Sequence, residues 1–210
     1  MDIACFLFDG ITALDIVGPY EVLQRLPEAN VKFVAKEAGP IRTDNKFLAL
    51  HADYGFADVT SADILVVPGG FATKELETDT ETLDWIRAVD QTTTWTTSVC
   101  TGSMLLAAAG LLDGKEATSH WASLDRLKEY GAIPTGTRVV QQGKIITAAG
   151  VSSGIDMGLT LAAKVAGDDF AMCVQLGIEY DPQPPFDAGS LDKAPAHISE
   201  LMASMYEGRL

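Results

Sequence analysis

Ile64-Leu65-Val66-Val67-Pro68-Gly69-Gly70 is the stretch that decides how this chain is read. The first four residues are apolar without interruption, so neither face of a strand built from them would meet water. Such a run suits the middle of a parallel sheet covered by helices on both sides. Pro68 and the two glycines then break the strand.

Working outward, the same alternation recurs in both directions. Toward the N-terminus, Ile3–Phe8 reads as a first strand and Val31–Ala35 as a second. Between them Leu14–Leu26 has helical spacing through Val17, Val22, Leu23 and Leu26. Ile41–Phe56 reads as a hairpin or irregular excursion with Asp44-Asn45 at its turn. Toward the C-terminus, Thr80–Val89 is expected to be a helix. Thr93–Val99, rich in β-branched and aromatic residues, is expected to be a strand. Gly102–Leu112 has an Ala/Leu helical pattern. Ala122–Tyr130 reads as a short amphipathic helix capped by Gly131. Val139–Gln142 and Lys144–Ala148 form a hairpin around Gly143. Helices follow at Val151–Ala166 and Asp168–Tyr180, then a proline-rich loop from Pro182 to Pro195 and a terminal helix near Ala196–Met205. Strands alternating with helices predict an α/β, doubly wound, mainly parallel sheet with helices on both faces.

The whole chain, 210 residues with 47% apolar content, fits a single domain over residues 1–210 with a sizeable core. The net charge of −14 disfavours nucleic acid and anionic membranes as partners. No apolar run approaches the ~20 residues that a membrane-spanning helix needs. No basic segment precedes the first apolar run, so a cytoplasmic location is the expectation. Cys5, Cys100 and Cys173 are too few for a disulfide framework. The three histidines lack metal-ligand spacing, so neither a metal nor another cofactor is expected. His51 and His197 read as surface or structural residues.

In a doubly wound sheet, ligands bind beyond the carboxyl ends of the strands, and three such ends carry candidates. At Thr97-Ser98-Val99-Cys100-Thr101-Gly102-Ser103 a β-run stops at Cys100 and a helix begins at once. That is the logic of a nucleophile elbow. The positive end of the helix and nearby free N–H groups would favour the thiolate, the reactive form. Cys5 and Cys173, inside apolar patterns, read as buried and inert. At Val67-Pro68-Gly69-Gly70-Phe71, the amides of Gly69 and Gly70 are candidates for binding a developing negative charge, although a plain tight turn explains the glycines equally well. At Phe8-Asp9-Gly10-Ile11-Thr12-Ala13-Leu14-Asp15, Asp15 is either a helix-start residue or a carboxyl group reaching toward the cysteine. A carboxyl in that second position would have a raised pKa and could carry a proton. Asp9 reads as structural. His120 reads as a packing residue that could instead orient the site. Gly150, Val151 and Ser152 open a helix that could approach the nucleophile.

The motifs together resemble the ThiJ/PfpI superfamily over nearly the whole chain. The features at that level are Pro68-Gly69-Gly70 and the elbow Ser98 to Ser103. The run Ala108 to Gly114, followed by Ala117-Thr118-Ser119-His120-Trp121, and the segment Leu14-Asp15-Ile16-Val17-Gly18-Pro19 narrow the likeness. The tail Pro184-Pro185-Phe186-Asp187-Ala188-Gly189-Ser190 with Ala194-Pro195-Ala196 is similar to that of isocyanide hydratases. The resemblance implies a flavodoxin-like sandwich, a homodimer and a cysteine-dependent lyase without a cofactor. It would convert isocyanides and water to N-substituted formamides. It also implies Cys100 as nucleophile, Asp15 as acid/base, and contacts to the reacting group from Gly69, Gly70, Thr101 and Val151. Hydrolase-like members of the superfamily often carry His after the nucleophile, where Thr101 stands here. The alternatives that the motifs leave open are a glyoxalase or deglycase acting on α-oxoaldehydes and a cysteine-based redox or stress sensor.

Overall fold

The computed structural model describes residues 1–206. The expected domain of residues 1–210 therefore runs past the described part.

The strands are β1 (Asp2–Phe6), β2 (Asn30–Ala35), β3 (Gly39–Arg42), β4 (Ala49–Ala52), β5 (Tyr54–Gly55), β6 (Ile64–Val67), β7 (Trp95–Val99), β8 (Glu116–Ala117), β9 (Ile133–Pro134), β10 (Val139–Gln142) and β11 (Ile145–Ala148). Seven of them form the central sheet in the order β10-β11-β7-β6-β1-β2-β5. Every pair in it is parallel except β10 with β11. The helices are α1 (Ala13–Leu23), α2 (Thr73–Leu76), α3 (Thr80–Asp90), α4 (Gly102–Ala108), α5 (Ser153–Ala166), α6 (Asp168–Gly177) and α7 (Ala196–Tyr206). One layer is α1 packed on α5 with α6 behind it. The other is built from α3, α4 and the segment after His120. This is the flavodoxin-like α/β sandwich expected from the alternation of apolar strands and helices.

β6 is the strand of the opening motif, and all four of its residues are buried. It lies between β1 and β7, which makes it central. On one side of the sheet Phe6, Phe56 and Trp85 form an aromatic cluster, with Phe56 and Trp85 stacked at 4.5 Å. The indole N–H of Trp85 donates to the carbonyl of Val59 at 2.8 Å, so the ring is buried without an unpaired donor.

Several elements differ from the sequence reading, each for a local reason. The strand expected from Thr93 starts at Trp95, because the Thr93 hydroxyl turns back to the Asp90 carbonyl at 3.0 Å. The expected helix Ala122–Tyr130 is a run of 3₁₀ turns over Trp121–Tyr130, closed by Gly131 at φ 77°. That segment is tied at its ends to the small parallel pair β8 and β9, a pairing that periodicity cannot reveal. The helix expected over Gly102–Leu112 ends at Ala108, before Gly110 with its φ of 81°. The excursion Ile41–Phe56 resolves into the hairpin β3–β4 and the edge strand β5. Cys173 is exposed rather than buried, because α6 packs through Ala171 and Val174 and turns Cys173 outward.

α1 and α5 approach closely because glycines line their contact. A Cβ on Gly158 would stand 3.0 Å from Val22, and one on Gly154 would stand 3.0 Å from Pro19. The two helices start side by side as a result, with Asp15 in the first turn of one and Val151 just ahead of the other.

Candidate active site

Register brings three strand ends into line. Val67 pairs with Ser98, and Ala148 pairs with Val99. The turns that follow, at Pro68-Gly69-Gly70, Cys100-Thr101 and Ala149-Gly150-Val151, therefore share one edge of the sheet. Ile11, after β1, bridges both Gly70 and Thr43 and adds a fourth segment to that edge.

Cys100 sits one residue beyond β7 with φ 58°, in the left-handed region where a side chain is strained. Such a residue costs about 1–3 kcal/mol and persists only when its surroundings over-determine it. Here they do. The Cys100 N–H is shared between the carbonyls of Ala148 and Ala149, at 3.1 and 2.9 Å. Its own carbonyl accepts from the hydroxyls of Ser103 at 3.0 Å and Ser119 at 3.1 Å. Gly102 is required by close approach, since a Cβ there would lie 2.1 Å from the Val67 carbonyl oxygen. Both peptide groups of Cys100 are thus fixed, and the thiol stays at the floor of the pocket.

The amides of Thr101 and Val151 lie near enough to the sulfur to favour its charged form. Val151 reaches this position with φ 35°, a second strained residue beside the first. The amides of Gly69 and Gly70, the candidates for binding a developing charge, both have partners within the fold. The Gly69 N–H donates to Asp15 Oδ2 at 3.0 Å, and the Gly70 N–H donates to Thr101 Oγ1 at 3.0 Å. The Thr101 hydroxyl in turn donates to the Gly70 carbonyl at 3.2 Å, so one side chain ties both peptide groups of Gly70.

Asp15 is fully buried. Burial raises its carboxyl to about 7, against the opposing N–H of Gly69. Its interaction with the Cys100 thiol lowers it and the charge of Asp44 raises it, both to a smaller extent. Asp15 Oδ1 has no N–H or O–H donor of its own. The Cys100 thiol is pushed well above its ordinary value by burial and then by the Asp15 charge, while the Thr101 and Val151 amides pull it down. Burial thus opposes the thiolate that the neighbouring N–H groups favour. The sulfur and the carboxyl behave as one pair that resists carrying two charges, as neighbouring buried acids do.

A pocket of about 120 Å³ opens above the sulfur, lined by Thr12, Asp44, Gly70, Phe71, Cys100, Thr101, His120, Val151 and Tyr206. His120 was expected to pack, and it does: a Cβ on Gly150 would stand 2.8 Å from its ring. It also faces the pocket. His120 Nδ1 accepts the Ala122 N–H at 3.3 Å, and burial lowers its pKa, which keeps the ring neutral. Asp44, Phe71 and Tyr206 carry no site signal in the sequence. They meet at the pocket only because the β3–β4 turn, the start of α2 and the end of α7 converge there. Among the described residues no three His, Cys, Asp or Glu side chains converge as metal ligands. Among the described residues no helix is long and apolar enough to cross a membrane.

A seven-stranded α/β sandwich with a strained cysteine at the end of a central strand defines a known class, and this chain belongs to the DJ-1/PfpI family, whose model matches residues 1–164. Within the family, isonitrile hydratase of Pseudomonas putida is 46% identical over 198 residues, covering 94% of this chain and 86% of that protein. A ThiJ/PfpI family protein from Pseudomonas syringae, known from its crystal structure, superposes with a TM-score of 0.95 at 40% identity. That match covers 99% of this chain and 86% of the other. The HTH-type transcriptional regulator CdhR of Pseudomonas aeruginosa is 32% identical over 144 residues, 67% of this chain but 42% of the regulator.

Proposed function

We propose that this protein hydrates isocyanides to N-substituted formamides, with Cys100 as the nucleophile and Asp15 as acid and base. The observation that carries the reading is the coupled Cys100–Asp15 pair beneath a small pocket, in a chain 46% identical to an isonitrile hydratase.

The terminal carbon of an isocyanide accepts a nucleophile and then needs a proton on the same atom. With the shared proton on Asp15, Cys100 is a thiolate held by the N–H groups of Thr101 and Val151. The sulfur forms a bond to the terminal carbon and Asp15 delivers its proton there. The product is a thioimidate, R–N=CH–S–Cys100. The Asp15 carboxylate then takes a proton from water as the water oxygen adds to that carbon. Asp15 passes that proton to nitrogen and takes the hydroxyl proton as the C–S bond breaks, so the formamide R–NH–CHO leaves with the thiolate and the protonated Asp15 both restored. A carboxyl near 7 suits both halves of this cycle, because it can give and take a proton at neutral pH. The test is formamide formation from an alkyl isocyanide by the purified protein. Near-normal turnover in Cys100→Ala would sink the mechanism.

A glyoxalase or deglycase reaction on α-oxoaldehydes is the second reading, and the observation in its favour is His120 in the pocket wall beside Cys100. Lactate formed from methylglyoxal at a rate comparable to isocyanide hydration would favour it. The assembly belongs to the same proposal: a homodimer would cover the exposed apolar side chains Met172, Leu176 and Phe186.

A further inference from the structure

Asp44 lies on the pocket wall and is held there by three hydrogen bonds. Its N–H donates to the Ile11 carbonyl at 2.9 Å. Oδ1 accepts the Asn45 N–H at 2.7 Å, and Oδ2 accepts the Thr12 hydroxyl at 3.1 Å. Both side-chain partners are neutral donors, so they fix the carboxylate without cancelling its charge. Among the described residues that line the pocket there is no Lys or Arg. Two aromatic rings share the lining, Phe71 and Tyr206, with centroids 5.9 Å apart. A carboxylate that pairs with no Lys or Arg among the described residues, set beside aromatic rings, is the combination that attracts organic cations.

We propose that this pocket selects its substrates by charge, with Asp44 as the residue that sets the preference: small electrophiles carrying an ammonium group are favoured and those carrying a carboxylate are rejected. This deepens the isocyanide reading and, for the substrate's reactive group, rests on it. The remaining argument is independent of the reaction. Burial is the main cause that raises Asp15 and Tyr206, and the charge of the pocket residue Asp44 adds a smaller push to both. Neutral His120 does not offset it. The small volume keeps any substituent on a substrate at Cys100 close to that carboxylate. A single charge pair near a protein surface then gives a preference of about tenfold or more.

The experiment measures kcat/KM for a neutral alkyl isocyanide and for analogues of matched length ending in an ammonium or a carboxylate. It does so for the unmodified protein, Asp44→Asn and Asp44→Ser. The expected order is ammonium, neutral, carboxylate, with the ammonium-to-carboxylate ratio falling about tenfold or more in both variants. Each ratio is internal to one preparation, so a partly unfolded fraction cancels. In parallel, Cys100 is alkylated with bromoethylamine, iodoacetamide and iodoacetate and its peptide is quantified by mass. With each rate taken relative to that of free glutathione and the same reagent, the same order, again flattened in Asp44→Asn, is expected there. Turnover of isocyanides with flat ratios in both assays overturns charge selection. Alkylation ratios that follow Asp44 while every isocyanide is inert overturn the proposed reaction and leave charge selection standing.

Discussion

The protein holds two buried cysteines in adjoining parts of one sheet, and only one is in a position to do chemistry. Cys5 lies inside β1, opposite Phe33 on one side and Val66 on the other. Burial alone pushes its thiol up to about 12. Cys100 is nearly as buried, but it stands past the end of β7, where Thr101, Val151 and Asp15 act on it. The difference is the strand end. Inside a strand every backbone N–H is used by a neighbour, so a buried thiol meets only hydrocarbon. Beyond the last paired residue, N–H groups become available while the helices still keep water away. Burial works against both thiols, and the strand end gives Cys100 the N–H groups and the neighbouring carboxyl that Cys5 lacks.

The comparison breaks most sharply on removal of the sulfur. Cys100→Ala is expected to reduce formamide production to background, whereas Cys5→Ala should keep turnover within a few-fold, both measured on an alkyl isocyanide. Asp15→Asn is expected to lose ~10²–10⁴ in kcat, the usual worth of general acid/base help.

The same variant should become more stable at neutral pH. Asp15 is held at about 7 in the folded protein and returns to an ordinary value near 3.8 on unfolding. The folded state therefore binds more protons between about pH 4 and pH 7, and stability falls as pH rises through that window. Asn cannot ionise, so urea midpoints of Asp15→Asn should exceed the parent's at pH 8, by on the order of 4 kcal/mol, and the excess should vanish near pH 3. A gain that does not change with pH would contradict the buried, proton-holding carboxyl.

Gly102→Ala sharpens the contrast from the backbone side. Its Cβ meets the Val67 carbonyl, so the elbow must move, and a loss of about 1–3 kcal/mol in chemical denaturation is expected together with reduced turnover. The smallest effect concerns Cys173. As the exposed thiol it should react first with a bulky maleimide in the native protein, with Cys5 unreactive until unfolding. Faster labelling of Cys5 than of Cys173 would reverse the assignment of inside and outside.

Much of this was legible in the residues. The two-sided apolar run Ile64–Val67 and the abrupt β-to-helix change at Cys100 are local patterns, and local patterns specify strands, helices and their junctions. Asp15 was legible only as a choice between a helix start and a proton carrier. Its burial and its bond to Gly69 depend on how α1 docks. The amides of Gly69 and Gly70 were open in the sequence and are engaged in the fold, because the partners that claim them are 54 and 31 residues away. Asp44 and Tyr206 had no signature at all, since each becomes a pocket residue through the meeting of distant turns. Cys173 was misread because a helical apolar pattern does not say which face finds a partner.

The Thr101 hydroxyl, which both accepts from and donates to Gly70, has a consequence for how such proteins diverge. The residue after the nucleophile is not an independent choice here, because it also closes the turn of the neighbouring strand. A lineage exchanging it for histidine would have to release two buried hydrogen bonds and recap Gly70 in the same step. Any exchange at position 101 that removes the hydroxyl leaves the Gly70 N–H and carbonyl to find other partners, so the residue after the nucleophile and the turn of the neighbouring strand form one unit.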